Sequence, residues 1–100
     1  MNMKIQNYIS ARAFWDSNFN ELDFTENAKF IIIRVFNFGK WLDIIRTIEY
    51  YGDEKIIKTL TEAEYLTEYG LQLASTIFNV EKKSFKCYTN KQYRHSSNKH

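Results

Sequence analysis

A chain of 100 residues, 44% of them hydrophobic and 17% aromatic, has room for one small domain and is too apolar to be disordered throughout. The chain has no proline and only three glycines, which excludes collagen-like chains and turn-rich β-sandwiches, because those folds need many residues with fixed or positive φ. The composition therefore predicts an all-α fold, a small bundle of about four helices.

The net charge of +2 is unevenly distributed along the chain. Residues 1–80 hold 8 basic and 11 acidic side chains, a net charge of −3, whereas residues 81–100 hold 6 basic residues and one acidic residue, a net charge of +5. From residue 89 onward there is too little apolar surface to offset the entropy of ordering the chain. We therefore expect an N-terminal extension over residues 1–13, a single helical domain over residues 14–88 and a flexible basic tail over residues 89–100.

Aromatic side chains recur from Phe14 to Phe24 without a clear helical or strand period. This spacing predicts an ordered, extended N-terminal arm, because its large side chains would otherwise be exposed to water. The side chains expected to cover one side of the helical body are Phe14, Trp15, Phe19 and Leu22.

A first helix is predicted over about Thr25 to Phe38, with Asp23 and Glu26 in the form of a capping box and Gly39 as the stop. The composition of residues 30–36 also suits a strand, since β-branched and aromatic residues favour sheets. The two caps favour the helix, which would be the central element of the core.

Three further helices follow from apolar residues at helical spacing. The second helix, ended by Gly52, has the apolar positions Trp41, Ile44, Ile45 and Ile48. The third, capped by Asp53, has Ile56, Ile57, Leu60 and Ala63, and the fourth, capped by Thr67 and ending near Asn79, has Leu71, Ala74, Ile77 and Phe78. We expect Ile45 and Ile48 to be buried and residues 81–84 to form a final turn. Trp41 has two interpretations, as a side chain that closes the core, which its place at the start of an amphipathic helix favours, or as a partner contact.

The second and third helices, joined tightly at Gly52, have the form of a helix-turn-helix, a motif that many proteins use to bind DNA. Residues 53–79, however, hold two lysines against five carboxylates, and this charge opposes binding to phosphates. The polar face of the fourth helix is suited either to reading bases or simply to solvation.

Residues typical of catalytic and metal sites are sparse. His95 and His100 have no Cys, His or carboxylate at a metal-ligand spacing, and Cys87 is expected to anchor the end of the domain beside Phe85. The carboxylates near the N-terminus, from Asp16 to Asp23, are best explained as surface caps. We therefore expect no enzyme activity, no cofactor and no metal.

A single cysteine cannot form an internal disulfide, as is usual in a reducing compartment. The N-terminus lacks the apolar core of a signal peptide, and the longest apolar run is far shorter than the roughly 20 residues that span a bilayer. These observations predict a cytoplasmic protein without a membrane anchor.

Several spaced motifs occur in order along the chain: Phe14-Trp15-Asp16, Ile33-Arg34-Val35, Gly39, Tyr51-Gly52, Tyr65-Leu66-Thr67 and Phe85-Lys86-Cys87-Tyr88. Over about residues 14–88 the sequence resembles small uncharacterised bacterial proteins, frequent in Bacteroidetes, that are often encoded beside nucleotidyltransferase toxins of the abortive-infection type. Ala13 stands where these proteins usually have Leu. The resemblance implies an antitoxin role, drawn from gene neighbourhood.

We therefore expect a protein-binding module that regulates a co-encoded toxin, with a small DNA-binding regulator as the alternative. A protein partner is expected because the body is acidic and rich in aromatic residues, which supply much of the binding energy of protein interfaces. A homodimer is a further alternative. The residues expected to contact the partner are Phe14, Trp15, Trp41, Gln72, Ser75 and Asn79, and the alternative for the three aromatic residues is that they close the core.

Overall fold

The computed structural model describes residues 8–89 of the chain. This part contains four α-helices, α1 (Ala28–Phe38), α2 (Trp41–Tyr51), α3 (Asp53–Glu62) and α4 (Glu68–Phe78), and no strand. Short 3-10 turns lie at Arg12–Phe14, Phe19–Glu21 and Lys82–Ser84, and residues 86–89 form a last helical turn. The prediction of an all-α bundle of about four helices is confirmed.

Helix α1 is the centre of the core. Ile31, Ile32, Val35 and Phe36 are all completely buried, so the helix is covered on most of its circumference. It packs against each of the other three helices and against the first 3-10 turn. The run of β-branched and aromatic residues is therefore helical, because tertiary burial outweighs its preference for strands.

The start of α1 differs from the prediction. The regular helix begins at Ala28, after a turn over residues 24–27. Asp23 Oδ1 accepts hydrogen bonds from the backbone N–H groups of Thr25 and Glu26, at 2.7 and 2.9 Å. The second hydrogen bond of the predicted capping box is made by Asn27 instead of Glu26. The Asn27 Oδ1 accepts a hydrogen bond from the N–H of Asp23 at 2.9 Å. Asp23 therefore caps this turn, and the helix follows one turn later.

Two glycines set the junctions on either side of α2. Gly39 follows α1 with an ordinary φ of −80°, and a Cβ at this position would lie 2.7 Å from the carbonyl oxygen of Val35. Gly39 ends α1 as predicted, and close packing against Val35 requires a glycine there. Gly52 is the single residue between α2 and α3, and its φ of +88° is strained for any other residue.

Helix α2 buries only part of the face that its apolar spacing predicts. Ile48 is partly buried against the core. Ile44 is fully buried together with two polar residues, Asp43 and Thr47, while Ile45 is only half-buried. Trp41 is 56% exposed, so the expectation that it closes the core is wrong. The physical reason lies outside the helix, in hydrogen-bond donors that the N-terminal arm brings to Asp43.

The N-terminal arm begins earlier than predicted, and its first residues are part of the folded body. Ser10 donates to Asp43 from both its backbone N–H, at 2.9 Å, and its hydroxyl, at 2.5 Å. Arg46 donates to the carbonyl of Tyr8 at 2.8 Å. Ile9 and Ala13 are buried in the core. Residues 8–13 therefore pack on the helical body. Residues 1–7 lie outside the described part of the chain, and so does the expected flexible tail from residue 90 onward.

Helices α3 and α4 match their predictions more closely. Ile56 and Leu60 of α3 are completely buried, and Ala63 follows them into the core. Thr67 caps α4 as expected, with its Oγ1 accepting the N–H of Gly70 at 2.9 Å. Asn79 ends this helix in the left-handed conformation, with φ of 55°.

The chain downstream of α4 also packs as predicted, with the 3-10 turn at Lys82–Ser84 and with Phe85 and Cys87 buried against the core. None of the helices in the described part of the chain has the length and apolar character needed to cross a bilayer.

The burial pattern of α2 gives a stability prediction. Ile44→Ala should lower the free energy of unfolding by about 2 to 5 kcal/mol, because it leaves a cavity in a fully packed site. Ile45→Ala is the matched control and should cost less, since its side chain is already partly in water. Urea denaturation of both variants measures the difference. A larger loss for Ile45→Ala would mean that α2 presents the face predicted from its spacing.

Candidate functional site

The first 3-10 turn separates two neighbouring aromatic residues, one inside the protein and one outside. Phe14 is 2% exposed and stacks on Phe19, with ring centroids 5.3 Å apart. Trp15, the next residue, is 64% exposed. Phe14 was expected to contact a partner, and this expectation is wrong, because the ring belongs to the core. Its burial anchors the backbone from which Trp15 projects.

Arg34 of α1 holds Trp15 in place. The Arg34 guanidinium carbon lies 4.6 Å from the centroid of the Trp15 ring and 5.3 Å from that of Phe38, which are cation–π distances. Phe38 also meets Trp15 edge to face, with centroids 4.8 Å apart. Trp15 is therefore an exposed side chain whose position is fixed by two neighbours on α1.

The donors of Arg34 tie the same region of the arm to α1. Its Nε donates to the carbonyl of Ala13 at 2.9 Å, and its two terminal nitrogens donate to the carboxylate of Asp16 at 2.5 and 3.3 Å. These bonds from Arg34 lower the pKa of Asp16 below its ordinary value of 3.8, because they stabilise the charged form. The planar guanidinium can donate to the carbonyl and to the carboxylate at the same time, which suits this geometry better than a lysine ammonium.

Trp15 forms one side of an open groove of about 840 Å³. Its floor is the face of α1 that carries Lys29, Ile33 and Asn37 at four-residue spacing. The segment that follows α3 forms the other side, where Tyr65 is 61% exposed. The groove thus has two accessible aromatic side chains, one from the arm and one from the connection between α3 and α4.

The charged side chains around the groove are mostly paired with one another. Arg34 pairs with Asp16, and Lys86 pairs with Glu64 at 3.3 Å. Among the residues described, Lys29 and Glu62 line the same groove without an ion pair. The groove as a whole is electrically balanced, with one cation and one carboxylate left to interact with a ligand.

Asn37 connects the floor of the groove to α4. It is buried, and its Oδ1 accepts from both the N–H and the hydroxyl of Thr67, at 2.8 and 3.2 Å. A Cβ at Gly70 would lie 2.6 Å from this oxygen, so a glycine is needed there. The connection that carries Tyr65 is therefore held at its C-terminal end by a hydrogen-bonded cap.

The other predicted contact residues lie away from the groove. Trp41 is exposed at the start of α2 and does not line it. Gln72 and Ser75 lie on α4 and Asn79 directly follows it. The Gln72 amide donates to the Thr76 hydroxyl at 3.2 Å, and the Ser75 hydroxyl donates to the carbonyl of Val80 at 2.7 Å. The structure brings none of these residues together with Trp15.

Sequence reasoning missed Arg34, Phe38 and Tyr65 as parts of the site. Arg34 interrupts an otherwise apolar run, and a charge at such a position is a signal that it has partners elsewhere in the fold. The exposure of Tyr65 had no comparable signal. Within residues 8–89, no group of three His, Cys, Asp or Glu side chains is placed to hold a metal ion.

The Arg34–Asp16 pair gives a prediction about pH. In the wild type the Asp16 carboxyl should titrate below 3.8, so its contribution to stability is present above the unfolded-state pKa and disappears as the pH falls. Arg34→Met should return the midpoint towards the ordinary value. Carboxyl-carbon NMR titration measures both midpoints, and Lys86→Met is the control that should leave Asp16 unchanged. Equal midpoints in the wild type and Arg34→Met would contradict the pairing.

Comparison with known proteins gives one family match. Residues 9–60 match a family of unknown function, DUF6922, a range that runs from the N-terminal arm through most of α3. It includes Trp15, Arg34 and Phe38 but stops before Tyr65. No curated protein and no solved structure matches the chain. Because the matched range covers more than half of the 100 residues, the chain belongs to the DUF6922 family.

Proposed function

We propose that this domain is a non-enzymatic protein-binding module and that the groove beside Trp15 receives a segment of its partner. The observation that carries the proposal is that Trp15 is 64% exposed and yet fixed by Arg34 and Phe38. A rigid aromatic side chain loses little conformational entropy when it binds, which is why Trp and Tyr dominate binding hot spots. An exposed indole held in this way favours a binding role.

The partner class follows from the resemblance to bacterial proteins encoded beside abortive-infection nucleotidyltransferase toxins. We infer an antitoxin-like regulator that acts in the cytoplasm on a toxin encoded with it. DUF6922 is a family of unknown function, so membership of it does not identify the partner. The partner class rests on the resemblance alone. Of the predicted contact residues, Trp15 and Trp41 are exposed aromatic side chains and stay in the proposal. The polar residues Gln72, Ser75 and Asn79 would contribute only at the rim of the interface.

The chemistry of the groove supports binding better than catalysis. General acid–base catalysis at neutral pH works best with a group whose pKa is near 7. Asp16 has a pKa shifted in the opposite direction, and its carboxylate is occupied by Arg34. Cys87 is buried and does not line the groove.

The alternative, a DNA-binding helix-turn-helix, uses α2 and α3. Gly52 is the only residue between them, whereas DNA-binding motifs usually have a turn of three to four residues. The five carboxylates against two lysines over residues 53–79 also oppose contact with phosphates. For these two reasons we rank the DNA-binding alternative second.

Co-expression with the product of the neighbouring gene tests the proposal. The wild-type protein, tagged, should co-purify with that product, and Trp15→Ala should reduce the recovery at least tenfold, because loss of a hot-spot residue costs about 2 kcal/mol or more. Tyr69→Ala is the matched control, since Tyr69 is 55% exposed and does not line the groove.

A gel-shift assay at physiological salt tests the alternative in parallel. Binding to phosphates weakens steeply as the salt concentration rises, whereas an apolar protein interface does not. Retention of a specific DNA sequence that resists salt, with no co-purifying protein, would overturn the protein-binding proposal and support the transcriptional regulator.

A further inference from the structure

The unpaired charges of the groove define what an occupant must carry. Four of the charged groups that line it satisfy one another as Arg34–Asp16 and Lys86–Glu64. Lys29, on α1, and Glu62, the last residue of α3, remain unpaired within the described chain and exposed. A ligand complementary to this groove therefore brings one carboxylate and one cation, and a phosphate chain, which is anionic along its whole length, does not fit.

The exposed aromatic side chains set a second requirement on the ligand, which must accept hydrogen bonds and cover apolar surface. Neither the Trp15 indole N–H nor the Tyr65 hydroxyl has a hydrogen-bond partner among residues 8–89, and both side chains are more than half exposed. Ile33, half-buried, adds apolar surface to the floor of the groove. Donors beside an apolar floor suit a peptide, whose carbonyls accept hydrogen bonds and whose side chain covers the floor.

The length of the floor sets the size of the segment. Lys29 and Phe38 are nine residues apart on α1, which corresponds to roughly 13 Å at about 1.5 Å per residue. An extended peptide covers that distance in about four residues at roughly 3.3 Å each. An aromatic side chain beside Trp15 would therefore lie about three or four residues from a carboxylate on Lys29.

We propose that the groove binds an extended peptide segment with an aromatic residue beside Trp15 and Tyr65, an acidic residue on Lys29 and a basic residue on Glu62. This inference rests on the proposed protein-binding function and specifies the chemistry of the partner segment. The recognition combines a fixed aromatic anchor with two opposite charges, so it selects a short mixed-charge segment over a uniformly acidic or basic one.

Selection from a random peptide library displayed on phage tests this chemistry with the full-length chain as the immobilised target. Enriched peptides should contain an aromatic residue with an acidic residue about three or four positions away, together with a basic residue. Lys29→Glu should shift the enrichment from the acidic to a basic residue, and Glu62→Lys should replace the basic residue with an acidic one. Lys58→Glu is the matched control on an exposed lysine that does not line the groove, and it should leave the enrichment unchanged.

Fluorescence anisotropy of the most enriched peptide gives affinities. Trp15→Ala and, independently, Tyr65→Ala should each weaken binding at least about tenfold, while Tyr69→Ala keeps the wild-type affinity. Circular dichroism melting curves identify any variant that has lost its fold. Enriched peptides without the charged residues, unchanged affinity in both groove variants, or no enrichment over the uncoated support would each overturn the inference.

The co-purification experiment and the peptide selection can give negative results independently of each other. Trp15-dependent recovery of the neighbouring gene product without the expected peptide enrichment would overturn the peptide chemistry and leave the proposed function standing. The expected enrichment without recovery of that product would support the groove chemistry and remove the toxin as the partner.

Discussion

The guanidinium of Arg34 donates to the carbonyl of Ala13 and to the carboxylate of Asp16 while its carbon lies 4.6 Å from the centroid of the Trp15 ring. One side chain of α1 thereby holds Trp15 and the backbone of Ala13 beside the groove and lowers the pKa of Asp16. Since the Arg34 side chain is only 16% exposed, much of its hydration is replaced by these contacts. Without this cation, the arm would lose its attachment to α1 next to the groove.

Buried polar residues also connect distant segments by hydrogen bonds at two other places in the fold. Asp43 of α2 accepts two hydrogen bonds from Ser10, and Asn37 of α1 accepts two from Thr67. No buried side-chain nitrogen or oxygen in the described part of the chain lacks a hydrogen-bond partner. An unsatisfied buried polar group lowers the free energy of unfolding by about 1 to 3 kcal/mol. An arm or helix that packs out of register would break such a pair and lose this stability. Apolar contacts alone would tolerate such shifts more easily.

The helices themselves were predictable because their signals are local. The spacing of Ile56 and Leu60, the Thr67 cap and the glycine at residue 52 are each read within one turn of chain, and all three are found in the structure. The face that α2 buries was not predictable in the same way. Asp43 is drawn into the core by Ser10, 33 residues earlier in the chain, and no periodicity within α2 contains that information.

The candidate site was predictable only in part, for the same reason. Trp15 was identified from its aromatic character, but its neighbour Phe14 was assigned to the same surface because the sequence does not show which of two adjacent rings points inwards. The groove is formed by three segments, the arm, α1 and the connection after α3, which meet only in the folded chain. Its aromatic members could be counted from the sequence, but their common location could not.

Ring and cation–π contacts distinguish Trp15 from the exposed apolar side chains at the start of α2. Trp41 and Leu42 are each 56% exposed at the start of α2, and no aromatic-ring or cation–π contact within residues 8–89 holds either of them. Their surface is apolar but unrestrained, so binding there would also have to order the side chains, at about 0.5 to 1.5 kcal/mol for each one immobilised. At Trp15 folding has already met this cost through Arg34 and Phe38. The same internal pairing that keeps the groove neutral thus leaves its aromatic side chain ready to bind, and this combination favours a protein segment over a nucleic acid.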